Sequence, residues 1–140
     1  MSALLRVVAA VAILAVAAPA FAVEPSPPGA KVYIIWPRDG TVIKGGKFWL
    51  RMGLVNMGVA PAGVVKAETG HHHVLIDTDL PPLDEPIPND SNHLHFGKGQ
   101  TEARIELPPG THTLQLILGD ADHTPHNPPV YSEKITVTVP

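Results

Sequence analysis

Short runs of apolar residues alternate with polar positions along most of this chain, and no window holds a helical period for as many as three turns. Val32 to Trp36 is a strand by its β-branched and aromatic content, stopped by the turn Pro37–Gly40; Val42 and Ile43 then lead into Gly45-Gly46. Lys47 to Val55 reads as a strand and Val64 to Glu68 as a short one, with the Gly- and Pro-containing loop 56–63 between them. His71 to Thr78 alternates, with His72, Val74 and Ile76 on the expected core side and His71, His73, Leu75 and Asp77 on the other. Leu80 to Asn92 is Pro-rich and acidic, which predicts a long surface connection. Gln100 to Leu107 and Thr111 to Leu118 alternate across the turn Pro108–Gly110, and Val130 to Val139 supplies the last strand. The pattern predicts an all-β domain of about seven or eight strands, an immunoglobulin-like antiparallel β-sandwich, with a small β-barrel as the alternative.

The first residues break this pattern. Met1 to Ala22 carries Arg6, an apolar run from Val7 to Ala18, and Ala20-Phe21-Ala22, the features of a cleavable signal peptide. The apolar run is shorter than the roughly 20 residues a membrane-spanning helix needs, so no span is expected after cleavage and the mature protein is expected to be periplasmic or secreted. Residues 23–30 then form a Pro-rich lead-in, and 31–140 a single sandwich domain. There are no cysteines, so the core alone must hold the domain. Cleavage would remove one of the 10 basic residues and none of the 13 acids. The mildly acidic remainder has neither a basic footprint for nucleic acid nor a Lys/Arg run that would hold it to anionic lipid.

Histidine changes the picture most. All eight histidines fall between Gly70 and Pro129, and seven of them are candidates to meet: His71-His72-His73, His93 and His95, His123 and His126. If Pro108–Gly110 marks one pole of a sandwich, the start of strand 100–107 and the end of strand 111–118 lie at the other. Pairing of 71–78 with 111–118 then brings His71 to His73 to that same pole, leaving His112 at the far end. Residues i and i+2 of a strand project to one side about 6 to 7 Å apart, a gap that two imidazoles can bridge to one ion. The candidate metal ligands are therefore His71, His73, His93, His95, His123, His126 and Met57, with His72, Asp77, Asp120 and Asp122 of lower weight. Imidazole suits zinc or copper, and a thioether from Met57 or Met52 tilts the choice toward cuprous copper. The acidic run 77–85 matches no calcium-loop spacing. His112 shares its face with three leucines and is expected to be structural.

The stretches 56–64, Gly70-His71-His72-His73-Val74-Leu75-Ile76-Asp77, His93-Leu94-His95-Phe96-Gly97-Lys98-Gly99-Gln100-Thr101 and Pro109-Gly110-Thr111-His112-Thr113-Leu114-Gln115-Leu116 together resemble an exported bacterial family catalogued only as a domain of unknown function. The resemblance covers nearly all of Val55 to Pro140 and implies a periplasmic setting, without a ligand or activity. The residues point first to a metal-binding module for copper or zinc handling. The alternative is a non-catalytic envelope module that binds a protein or a glycan. A three-histidine site could activate water, but no Ser/His/Asp order or paired-carboxylate pattern supports an enzyme.

Overall fold

The computed structural model describes residues 22–140; the expected signal peptide, its last residue apart, lies outside them. Nine strands follow in order: β1 (Lys31–Trp36), β2 (Thr41–Val42), β3 (Lys47–Val55), β4 (Gly58–Val59), β5 (Thr69–Ile76), β6 (His93–His95), β7 (Glu102–Glu106), β8 (Gly110–Gly119) and β9 (Ile135–Val139). They form two sheets. One has the order β1-β3-β7; the other runs β2-β9-β8-β5-β4, with β6 also paired to β5. Strands 1, 3 and 7 against 5, 8 and 9 is the immunoglobulin-like division, and because the sheets share no ladder the molecule is a sandwich and not a closed barrel.

Alternation explains the core. Val32, Phe48, Leu50 and Met52 of the small sheet meet Val74, Ile76, Leu114, Leu116, Leu118, Val137 and Val139 of the large one, all buried. The segment read as a strand at 64–68 is a connection instead. The Val64 N–H turns back to Pro61 O at 3.2 Å and Lys66 O accepts the Thr69 hydroxyl at 2.8 Å, local bonds of a connection, and pairing resumes only at its end, where Glu68 O accepts the Gly58 N–H at 2.9 Å. The last strand also begins later than its composition predicts. At Ser132 the side-chain hydroxyl accepts the Leu116 N–H at 2.8 Å, replacing a backbone bond and interrupting the ladder before β9.

The large sheet is unusual in burying both faces of β5. Its inner positions join the core, while Leu75 packs outward with Ile117, Ile87 and Leu80 in a second apolar cluster. Ile87 and Leu80 come from the Pro-rich connection, which thus folds over the sheet's outer face, and the Ile87 N–H donates to His123 O at 2.9 Å.

Candidate metal centre

The site forms on that covered outer face. β5 and β8 pair with His71 opposite Gly119 and His73 opposite Ile117, while on the other edge of β5 His73 stands opposite His95. His71 and His73 therefore project side by side with His95 next to them, and the loop after β8 brings in His123. The four rings pack together: their centroids are 4.8 Å (71–73), 5.0 Å (71–95), 5.1 Å (71–123), 4.9 Å (73–95), 6.0 Å (73–123) and 4.7 Å (95–123) apart. His71, His95 and His123 each offer a ligand atom within 4.8 Å of the others, and the Nε2 atoms of His71 and His73 lie 3.0 Å apart.

Missing side chains make room for these rings. A Cβ at Gly97 would stand 2.3 Å from His95 Cε1, and one at Gly119 would stand 3.0 Å from His73 Nε2 and 3.2 Å from His123 Cα. Sequence reasoning gives these glycines no weight; the one available signal is that each sits within two residues of a strand end carrying or facing a candidate histidine.

His123 is placed by its turn. The Asp120 carboxylate accepts the N–H groups of Asp122 and Thr124 through Oδ1, both at 2.9 Å, and the His123 N–H donates to Asp120 O at 3.0 Å. The turn leaves His123 at φ 68°, a left-handed conformation uncommon outside glycine that the surrounding bonds must hold.

Burial, and then the neighbouring imidazoles, keep His71, His73 and His95 neutral. Burial, and then the neighbouring His95 and His123, lower His71 to about 4. Burial, followed by His71, His95 and His123, lowers His73 to about 2. His95 is also pushed down by burial and by His123. Each of these imidazoles thus keeps a lone pair at neutral pH. The buried ring nitrogens His71 Nδ1, His73 Nδ1 and His95 Nε2 have no protein hydrogen-bond partner.

The other sequence candidates sit elsewhere. His93 shares the face of His95, but its Nδ1 is held 2.8 Å from Asp90 Oδ1. His126 fills the space over Gly70 and donates from Nε2 to Thr69 O at 3.0 Å, outside the four-ring group. His72 points into the sandwich, fully buried with neither ring nitrogen partnered, and burial alone lowers it to about 4. Met57 packs against the hydrophobic core. Asp122 is exposed, and Asp120 shapes the turn as described. Asp77 lies at the far pole, where its Oδ2 stands 2.6 Å from His112 Nδ1 and its Oδ1 accepts the Thr113 N–H at 2.8 Å. His112 also donates from Nε2 to Pro108 O at 2.9 Å, the structural role its leucine-lined face predicts.

The family model described as Domain of unknown function (DUF4399) matches residues 50–140. The chain belongs to this family. The DUF4399 segment begins inside β3 and carries every histidine of the chain, so the four-ring group lies wholly within it. A comparison with curated proteins returns no match. Among solved structures, the chain is similar to the fibronectin(III)-like modules of Clostridium thermocellum CbhA, at 14% identity and a TM-score of 0.38 over 77% of this chain and 92% of that one.

Proposed function

We propose that this DUF4399 protein is an exported, non-catalytic β-sandwich module that binds a transition metal, copper or zinc, through His71, His73, His95 and His123. The spacing of the four rings carries this reading. Imidazoles on one tetrahedral ion, with metal–nitrogen bonds of about 2.0–2.1 Å, hold their ring centroids about 5 Å apart. Five of the six pairs here lie between 4.7 and 5.1 Å and the sixth at 6.0 Å. Among the described residues neither thiolate nor carboxylate joins the group, and an all-imidazole set suits copper and zinc over magnesium or calcium.

Four nitrogens would fill a tetrahedral ion and leave no position for substrate or water, which favours storage or transfer of the ion over catalysis. The leader-like Met1 to Ala22 supports a periplasmic setting, where such an ion would be met outside the cytosol. Metal content of protein purified from the periplasm without an affinity tag tests the proposal. About one equivalent of copper or zinc is the expected result. Metal-free protein that also fails to take up either ion on titration would overturn it.

A further inference from the structure

The outer face of the small sheet carries a different chemistry. Alternation turns Tyr33, Trp49 and Arg51 outward, and a register shift between Ile34 and Trp36 sets Trp36 opposite Arg51. Trp49 stands opposite Arg104 on the neighbouring strand. Both tryptophans of the chain therefore lie on one face, 42% and 46% exposed, beside Tyr33 at 39%. The Tyr33 ring rests on bare backbone: a Cβ at Gly53 would come within 2.2 Å of its Cζ and 2.6 Å of both Cε atoms. These three aromatics precede the segment matched by the family model.

The face is also charged against the rest of the molecule. No basic run exists in the sequence, but strand pairing gathers Lys31, Lys47, Arg51 and Arg104 with only Glu102 and Glu106 among them, on a chain of formal net charge −3. The two acids are taken by Lys47 at 3.4 Å and Arg51 at 3.5 Å. Among the described residues Lys31 and Arg104 form no salt bridge.

We propose that this face docks peripherally on an anionic bilayer surface. Tryptophan and tyrosine favour the boundary between hydrocarbon and water, where the ring is buried and its polar edge stays wet. Lysine and arginine stems lie along apolar surface while their charges reach anionic headgroups. The exposed aliphatic side chains Ile35 and Val55 beside these groups favour lipid over an acidic polysaccharide, whose hydroxyl-rich surface gives them nothing to bury in. No helix among the described residues is long and apolar enough to cross a membrane, and the proposed contact is peripheral. The four-histidine group, on the outer face of the opposite sheet, would then point away from the bilayer.

Because both tryptophans sit on the docking face, their emission reports contact directly. The purified protein should co-sediment at low salt with vesicles containing phosphatidylglycerol and not with pure phosphatidylcholine vesicles, and its emission should shift to the blue on binding. Lys31→Gln and Arg104→Gln should each weaken binding on the order of fivefold, and Trp49→Ala should reduce the blue shift. The proposal fails if the anionic vesicles are not bound, if phosphatidylcholine binds equally well, or if dextran sulfate binds as tightly as the vesicles while tryptophan emission stays unshifted.

Discussion

His71 and His73 bring their Nε2 atoms within 3.0 Å of each other on one covered face of a central strand, and at neutral pH both rings are uncharged. Two such nitrogens can share one proton or one metal ion, and the adjoining His95 and His123 favour the ion.

Calorimetric titration of metal-free protein with Zn(II) and Cu(II) should therefore show one site of about micromolar affinity or tighter. His71→Ala, His73→Ala and His95→Ala should each weaken it by at least about tenfold, since each removes a ligand. His93→Ala should leave it near native, because that ring is engaged by Asp90. Unchanged affinity in all of the first three variants would rule out the site.

Asp120 should matter to binding without touching the ion. Asp120→Ala removes the acceptor for two N–H groups that hold His123 in its left-handed turn, so affinity should fall about tenfold to a hundredfold, the usual range for groups that orient a ligand. Asp120→Asn keeps an oxygen at the same place and should restore much of the loss. Metal should also slow amide exchange at Asp122 and His123; equal exchange with and without metal would make the turn a bystander.

Acid should unfold the metal-free protein early. His71 and His72 are held near 4 when folded and return to about 6.5 when unfolded, so the unfolded chain binds more protons between these values. Their stability contribution is complete above pH 6.5 and is lost as pH falls toward 4, up to roughly 3 kcal/mol for each. Urea midpoints at pH 7.5, 6 and 5 should fall in that order. His72→Leu should flatten the decline, and an equally steep decline in that variant would refute the burial argument for this residue.

The far pole behaves oppositely. Asp77 raises the pKa of His112 through their hydrogen bond, so this pair stabilises the fold fully below pH 6.5 and loses its effect as pH rises through the folded value. His112→Gln should lower stability by on the order of 1 to 3 kcal/mol at pH 6, less at pH 8, and barely alter metal affinity. Native melting together with lost metal binding would reverse the assignment.

The major strands were legible because β3, β5 and β8 alternate cleanly, and the position of Pro108–Gly110 was enough to sort His112 from the other histidines. Spacing could not separate His95 from His93. The two share a strand face, and only the turn at Asp90, which captures one of them, decides which ring is left for the group. Likewise nothing in the run Asp120 to His126 indicates that His123 turns toward the cluster while His126 is held by Thr69, because that depends on where backbone carbonyls lie after folding. The burial of the outer face was hidden for a related reason: a Pro-rich, acidic connection reads as solvent-exposed, yet Ile87 within it is buried with Leu75 of β5 and Ile117 of β8.

Three histidines in a row have a consequence for how β5 finds its frame. A strand displaced by one residue would still present imidazole to the outer face, so the cluster by itself discriminates weakly between alignments. The penalty falls further along, where the slip would exchange Val74 and Ile76 for Leu75 and Asp77 on the inner side. Asp77, bonded to both Thr113 N–H and His112, therefore acts as the index mark that sets the strand against β8, and the alignment of the histidines is fixed from the opposite end of the molecule.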